Sequence, residues 1–408
     1  MNRISNFFKK LTVAATAACA VCFTAVFGYS LSLPESFLVT RGQEFSLQNT
    51  VISSARSYDS EVLAGESRVS ELSYNVSLKL FGVMPIKEVT VNVVDRPTLI
   101  PCGTPFGIKM FTKGVMVVSL SDVESGGRAF SPAVEGGLRV GDIILEANGE
   151  EVTSNEHISS IIAGSNGRGI PFLIQRNDVK LNVTVTPVKA DSDSTYKAGI
   201  WVRDSSAGIG TATFYDPATK TFAGLGHAIC DVDTGELLPL SSGELVEVSI
   251  LGITKGRSGT PGELVGAFAS RIGFGQLYAN TKAGVFAKSE RCPVSSAPMK
   301  LALKQEVKQG KAYILTTLDK NVVERFEISI EKISLSDNNA TKNMVIKVTD
   351  ENLIKRTGGI VQGMSGSPII QDGQLVGAVT HVFVNDPTKG YAIFAENMLE
   401  TAQSVAEK

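Results

Sequence analysis

Alternation of apolar and polar residues is the commonest pattern along this chain. It is clear in residues 76–80 and 89–93, on either side of a turn-rich break at 82–85, and it returns in residues 246–250 and 326–330. A period of two places one face of each segment in a core and the other towards solvent, as in antiparallel strands. The pattern predicts a mainly β protein with some α.

The alternating segments fall into two groups. Residues 35–96 hold too few of them for more than a β-hairpin or a small sheet, whereas residues 189–408 are rich in glycine and in short strand-like runs. Such spacing is typical of an antiparallel sandwich or barrel.

Helical periodicity is confined to a few segments. Asn155–Ala163 begins with a plausible capping residue and carries Ile158, Ile161 and Ile162 at helical spacing. The last segment, 395–407, predicts a closing helix with one apolar face formed by Met398, Leu399, Ala402 and Val405.

The N-terminus departs from both patterns. Residues 11–34 include no charged residue and follow Lys9 and Lys10. This apolar stretch is long enough to cross a bilayer as a helix. The positive-inside rule places residues 1–34 as a cytoplasmic tip and a transmembrane or signal anchor, with the rest of the chain outside the cytoplasm. A cleaved signal peptide is the alternative.

Composition excludes several other classes. The 408 residues include 39 Lys+Arg and 41 Asp+Glu, so the chain has no electrostatic footprint for nucleic acid. Cys102, Cys230 and Cys292 are odd in number and far apart, which argues against a disulfide framework. His227 and Cys230 lack two further ligands, so we expect no metal and no cofactor.

Residues 97–188 contain a more specific motif. The stretch 136–149, with a glycine-bounded turn, a buried strand and Asn148-Gly149, resembles the PDZ domain family. That resemblance places the peptide-binding loop at Phe106, Gly107 and Ile108, and implies a peptide ligand added to a sheet edge. His157, near the start of the predicted helix, is expected to be a solvated surface histidine.

The segment Gly363-Met364-Ser365-Gly366-Ser367-Pro368 has the glycines that a tight, hydroxyl-exposing turn requires. It resembles the nucleophile loop of trypsin-like peptidases. By that resemblance Ser365 is the nucleophile, and the amides of Gly363 and Ser365 form the oxyanion hole. Met364 and Ser367 depart from the common aspartate and second glycine, which argues against activation through a trypsin-like salt bridge.

A serine nucleophile needs a base, and the chain has three histidines. His157 belongs to the PDZ-like unit, so His227 and His381 are the candidates. His227 precedes the serine, as in trypsin-like enzymes, and lies in a glycine-rich setting, whereas His381 follows Ser365 on the next predicted strand. These features favour His227 and leave His381 as the alternative.

The base is commonly oriented by a carboxylate. Asp350 lies between His227 and Ser365, as the order His-Asp-Ser requires. Asp231 and Asp233 lie close to His227 in sequence and compete for the role. Aspartates in such loops are also common caps and turn formers.

Together, the N-terminal anchor, the PDZ-like unit and the serine loop downstream of Gly224-Leu225-Gly226-His227 resemble the SpoIVB peptidase family. The resemblance implies a regulatory serine endopeptidase of sporulation, with Ser365, His227 and Asp350 as its triad. It implies secretion into the space between the forespore membranes, self-cleavage near the N-terminus, and cleavage of a membrane-bound regulator that releases processing of a sigma factor precursor.

Two other functions compete with this one. A catalytically inactive PDZ scaffold of the cell envelope could use the serine loop as a structural turn. An esterase needs a strand-turn-helix around Gly-x-Ser-x-Gly, but Ser367 occupies the last glycine position and a strand-like run follows Pro368.

Overall fold

A computed structural model describes most of the chain: residues 12, 13, 16, 20, 23, 24, 26–47, 52–56, 73–319, 322–337 and 341–406. Residues 26–32 are helical, and most of the predicted anchor at 11–34 lies outside the described residues. Among the helices of the described part, none is both long and apolar enough to span a membrane.

The first unit is a small sheet, as the alternation predicts. In its described part the strand order is β1-β4-β3-β2, the strands being β1 (Ser36–Thr40), β2 (Ile52–Arg56), β3 (Ser73–Leu80) and β4 (Met84–Val94). The alternating apolar residues meet on one face, where Phe37, Leu78 and Val91 are buried. Burial of this face supplies the free energy that a lone hairpin lacks.

The next strands lead into the PDZ unit. After β5 (Thr98–Pro101), β6 (Pro105–Leu120) runs for 16 residues without a break. The following elements are β7 (Val123–Ser125), β8 (Arg128–Phe130), α1 (Pro132–Glu135), β9 (Ile143–Ala147), β10 (Glu150–Glu151), α2 (Asn155–Gly164), β11 (Ile170–Arg176) and β12 (Val179–Val185). The sheet order β12-β11-β9-β6 packs on α2 through a shared apolar core.

The predicted helix is confirmed as α2, with Ile158 and Ile162 buried. Its capping residue differs from the expected Asn155. The Oγ of Ser154 accepts a hydrogen bond from the amide of His157 at 3.1 Å, and this satisfies one of the free amides of the first turn.

Six antiparallel strands, β6 and five of the eight strands that follow it here, form a closed ring. The additional strands are β13 (Val188–Lys189), β14 (Tyr196–Lys197), β15 (Ile200–Asp216), β16 (Thr221–Gly224), β17 (Leu240–Thr254), β18 (Glu263–Phe268), β19 (Gly275–Thr281) and β20 (Gly284–Lys288). Pairing runs β6-β17-β19-β20-β16-β15 and returns to β6, so these strands close a first barrel. Phe106 and Phe222 pack edge to face inside it.

The second barrel closes in the order β22-β23-β24-β27-β26-β25. The remaining elements are β21 (Met299–Lys300), a 3-10 turn (Lys304–Glu306), β22 (Gly310–Thr317), β23 (Val323–Ile333), β24 (Met344–Val348), α3 (Glu351–Thr357), β25 (Pro368–Gln371), β26 (Gln374–Phe383), β27 (Asp386–Phe394) and α4 (Ala395–Ala406). The predicted barrel and closing helix are thus confirmed. Met398, Leu399 and Ala402 of α4 are buried in a core shared by both barrels.

Candidate active site

A pocket of about 480 Å³ opens between the two barrels and contains the predicted nucleophile and both candidate bases. Its lining includes His227, which follows β16 of the first barrel, and Ser365, which precedes β25 of the second. His381, on β26, lines the same pocket. The fold therefore brings together residues that lie 138 positions apart in the sequence, as 365 minus 227 shows.

A tight turn delivers His227 to this pocket. The amide of Gly226 donates to the carbonyl of Gly224 at 2.8 Å, which makes a three-residue γ-turn around Leu225. Leu225 has φ 67, a left-handed value that non-glycine residues adopt rarely. Backbone strain of this kind concentrates at functional sites, where the surrounding structure holds it in place.

The hydrogen bonding of His227 defines its tautomer. Nδ1 lies 2.8 Å from the carbonyl oxygen of Ala228, which can only accept, so Nδ1 carries the proton. In the neutral ring, Nε2 is then an unprotonated acceptor, which is the form a general base needs. Burial lowers the pKa of His227 and the bond to Ala228 partly opposes this, so the ring is neutral at neutral pH.

His381 lies beside His227 in the pocket. The two ring centres are 5.1 Å apart and the ring planes are tilted by 40°. Desolvation, together with repulsion from a protonated His227 and from Lys342, lowers the pKa of His381 to about 4, although part of its surface reaches solvent. No hydrogen bond from the described residues engages its ring.

The loop that carries Ser365 is fastened to β15. The amide of Thr211 donates to the carbonyl of Ser365 at 2.9 Å, and its Oγ1 donates to the carbonyl of Gly363 at 2.7 Å. The Oγ1 of Thr213 donates to the carbonyl of Gly366 at 2.8 Å. Gly366 has φ 96, and a Cβ there would lie 1.9 Å from the oxygen of Thr211, so only glycine allows this approach.

The hydroxyl of Ser365 donates to the carbonyl of Thr380 at 2.9 Å. The amides of Gly363 and Ser365, the predicted oxyanion hole, donate no hydrogen bond to any described residue. Free amides in a pocket that is otherwise well paired are what an oxyanion site requires.

The environment of Met364 explains its departure from the trypsin-like pattern. Its side chain is fully buried in the apolar core of the second barrel. An aspartate at this position would place an uncompensated charge in that core. A salt bridge of the trypsin type therefore has no place in this loop.

The predicted acid, Asp350, lies elsewhere. Its carboxylate caps α3: Oδ1 accepts from the amides of Asn352 and Leu353, each at 3.0 Å, and Oδ2 accepts from the amide of Glu327 at 3.3 Å. It does not line the pocket and makes no bond to His227. The triad role of Asp350 remains a prediction without a contact in this structure.

Neither competing aspartate reaches His227. The carboxylate of Asp231 forms an ion pair with Arg203 at 2.8 Å and accepts from the amides of its own turn, and Asp233 accepts from Arg203 at 2.7 Å. The position beside Nδ1 is occupied by the carbonyl of Ala228. Sequence reasoning missed this group, because a backbone carbonyl leaves no residue signature.

The predicted peptide loop at Phe106, Gly107 and Ile108 is not an open sheet edge. In this structure these residues pair with Gly208–Gly210 of β15 on one side and with Leu245–Glu247 of β17 on the other. Their amides cannot receive a terminal carboxylate, because both edges are already paired. Phe106 and Ile108 belong to the core of the first barrel.

A groove of about 790 Å³ lies instead between α2 and the start of β15. Ile158 and Ile162 line it from the helix, and Ile200, Trp201 and Val202 line it from the strand. Ile200 and Trp201 pair with Leu120 and Ser119 at the end of β6, so β15 forms the edge of the PDZ sheet. His157 does not line this groove; it is half-buried beside Glu150.

Two antiparallel barrels with a histidine and a serine in the pocket between them, joined to a PDZ unit, define a PDZ-containing peptidase. The model of the SpoIVB peptidase S55 family matches residues 194–399, and a PDZ domain model matches residues 125–176. The chain therefore belongs to the SpoIVB peptidase S55 family, and the predicted resemblance is confirmed.

Other similarities cover parts of the chain. "Putative zinc metalloprotease BH06270" of Bartonella henselae is 31% identical over 80 residues, which are 20% of this chain and 22% of that protein. In the described part of this chain, no group of three or more His, Cys, Asp or Glu side chains is placed to hold a metal.

Solved structures give weaker similarity. A PDZ domain of the SdrC-like protein from Listeria monocytogenes is 24% identical, with 22% of this chain and 87% of that chain covered and a TM-score of 0.19. The active form of the Rv3671c protease from M. tuberculosis is 13% identical, with 49% and 74% covered and a TM-score of 0.29. The HtrA-type protease AlgW with a decapeptide is 14% identical, with 50% and 55% covered and a TM-score of 0.30.

Proposed function

We propose that this chain is a serine endopeptidase in which Ser365 attacks the peptide carbonyl and His227 is the general base. The observation that carries the proposal is the pocket shared by Ser365 and a neutral His227 whose Nδ1 proton is held by Ala228. In the attack, Oγ of Ser365 bonds to the carbonyl carbon and its proton passes to Nε2 of His227. That proton then goes to the leaving amine, and water hydrolyses the acyl-enzyme by the reverse steps.

The amides of Gly363 and Ser365 stabilise the negative charge that develops on the carbonyl oxygen, by donating hydrogen bonds to it. Ala228 takes the orienting part of the role that a carboxylate has in most triads, since its carbonyl holds the ring in one tautomer. In the resting state the hydroxyl of Ser365 points to Thr380, so rotation of its side chain precedes the attack.

The substrate preference follows from the pocket walls. Apart from its two histidines, the lining holds no ionisable Asp, Glu, Lys or Arg, and Ile209, Ile360, Val361 and Val382 form much of its surface. We expect cleavage beside apolar residues, because a charged side chain would lose its hydration there without gaining a partner.

The direct test is labelling of the purified full chain with a fluorophosphonate probe. We expect one labelled serine, and loss of both labelling and self-cleavage in Ser365→Ala. Undiminished labelling of Ser365→Ala would overturn the assignment. His227→Ala should be inactive. An inactive His381→Gln together with an active His227→Ala would show that His381 is the general base.

The biological role is proposed from the family. A sporulation peptidase that acts on itself and on a membrane-associated regulator, outside the cytoplasm and near the forespore membranes, fits the S55 family match and the PDZ unit. Processing of the sigma factor precursor should stop in spore-forming cells that carry Ser365→Ala. N-terminal sequencing of the mature protein, with and without active Ser365, tests self-cleavage and removal of the N-terminal segment together.

A peptide ligand for the PDZ unit is part of the same proposal. The groove between α2 and β15 has an apolar helix face and a strand edge, the combination that binds an extended peptide. The inactive scaffold is the second candidate function. It is favoured by one observation, the bond from Ser365 to Thr380 in place of a bond to a histidine.

A further inference from the structure

The two histidines of the pocket stand at the separation that a shared metal ion requires. Two imidazoles on a tetrahedral zinc ion, with zinc–nitrogen bonds of about 2.1 Å and ring centres about 1.1 Å behind the nitrogens, have ring centres about 5.2 Å apart. The ring centres of His227 and His381 are 5.1 Å apart. The two ring centres therefore lie at the separation of two imidazoles on one zinc ion.

The ring nitrogens are available for coordination. Nδ1 of His227 donates to the carbonyl of Ala228, which leaves Nε2 as the donor atom and orients the ring through a second group, as is usual for metal-bound histidines. The ring of His381 makes no hydrogen bond with the described residues. Both rings line a pocket that opens to solvent, and His381 is itself exposed.

We propose that His227 and His381 bind one zinc ion, which inhibits the peptidase reversibly. The inference rests on the proposed function only for its inhibitory consequence. A zinc ion on Nε2 of His227 occupies the lone pair that accepts the proton of Ser365, so the serine cannot be activated. Two histidines define the site, and water or the hydroxyl of Ser365 completes the coordination.

The donor set limits the affinity and the choice of ion. No third His, Cys, Asp or Glu of the described residues completes a cluster, so binding is weaker than in structural zinc sites with four protein ligands. Imidazole nitrogen suits zinc and cobalt, whereas magnesium prefers oxygen, so magnesium should not inhibit.

Metal binding is measured first, on the full chain carrying Ser365→Ala, which cannot consume itself. Calorimetric titration with zinc chloride is compared between this protein and the same protein with His381→Gln or with His227→Ala and His381→Gln. We expect the double change to remove one equivalent of bound zinc and His381→Gln to weaken that equivalent at least about tenfold. Any zinc held by Cys19, Cys22 or Cys230 is common to all three proteins and cancels.

Cys230→Ser is the matched control, because Cys230 lines the same pocket and is exposed. It should bind zinc as the parent does. Equal zinc binding by the parent and the double variant, or no binding up to about 1 mM zinc, would overturn the site. Circular dichroism confirms that each variant is folded.

Inhibition is measured separately on the active chain. Zinc should inhibit cleavage, excess EDTA should restore it, and His381→Gln should need at least about tenfold more zinc relative to its own metal-free rate. Absence of cleavage in all proteins would contradict the proposed function and leave the calorimetric result standing. Inhibition that is equal in the parent and in His381→Gln would contradict the zinc site alone.

Discussion

Thr211 holds the loop of Ser365 by two bonds from one residue. Its amide donates to the carbonyl of Ser365 at 2.9 Å, and its hydroxyl donates to the carbonyl of Gly363 at 2.7 Å. Thr211 lies on β15, the strand whose first residues form the edge of the PDZ groove. One continuous strand therefore connects the groove to the nucleophile loop.

Thr211→Val should loosen this loop while keeping the shape of the side chain. Loss of the hydrogen bond leaves the carbonyl of Gly363 without that donor, so we expect a loss of about 1–2 kcal/mol in the free energy of unfolding and a lower kcat. Urea unfolding and steady-state kinetics measure both. Thr316→Val is the control: Thr316 is also buried, but its hydroxyl has no partner among the described residues, so stability should be unchanged or raised.

Gly366→Ala should abolish activity by displacing the loop. The new Cβ would lie 1.9 Å from the oxygen of Thr211, and φ 96 is strained for alanine. Fluorophosphonate labelling should be lost even where circular dichroism shows a folded protein. Gly252→Ala, where no atom lies within 4 Å of the new Cβ, should label normally, and full labelling of Gly366→Ala would contradict the observed geometry.

The acid limb of the activity profile should report the environment of His227. Burial lowers its pKa below the ordinary 6.5, and the base acts only when it is neutral. The pH at which kcat/KM reaches half of its maximum should therefore lie below 6.5. A carboxylate partner would raise the pKa instead. A midpoint above pH 7 would therefore show that Asp350 or another acid reaches His227 in the active state.

Stability should fall on the acid side because of His381. Its pKa is lowered to about 4 in the folded protein, so the unfolded chain binds the proton more readily. The resulting loss of stability is absent above about pH 6.5, where neither state binds the proton, and it grows as the pH falls towards 4. Thermal unfolding of His381→Gln should show a smaller decrease of Tm over this range than the parent; an equal decrease would contradict the assignment.

Trp201→Ala should weaken peptide binding at the PDZ groove. Trp201 is 63% exposed and lines the groove, so its loss removes apolar contact without opening a core. Fluorescence polarisation with labelled decapeptides that end in an apolar residue measures the effect. Phe81→Ala, an exposed aromatic of the N-terminal sheet at 74% exposure, is the matched control and should bind as the parent does.

Much of the fold was predictable because its signals are local. Period-two alternation in residues 76–80 and 326–330 marked strands, and the apolar face of 395–407 marked α4, since each depends only on which side chains must be buried. The peptide loop was not predictable in this way. Phe106–Ile108 has the alternation of any strand, and only the pairing of β6 with β15 and β17 decides that its edges are closed.

For the site, the sequence by itself determined the chemistry that is available: the serine loop at 363–368, three histidines, and the motif Gly224-Leu225-Gly226-His227. Glycine conformations and side-chain types are properties of single residues, and they carry that information without the fold. The tertiary structure decided which groups meet. Ser365 reaches the pocket of His227 and His381, Asp350 is used to cap α3, and the carbonyl of Ala228 lies beside Nδ1. These outcomes depend on strand closure across two barrels, which no local pattern specifies.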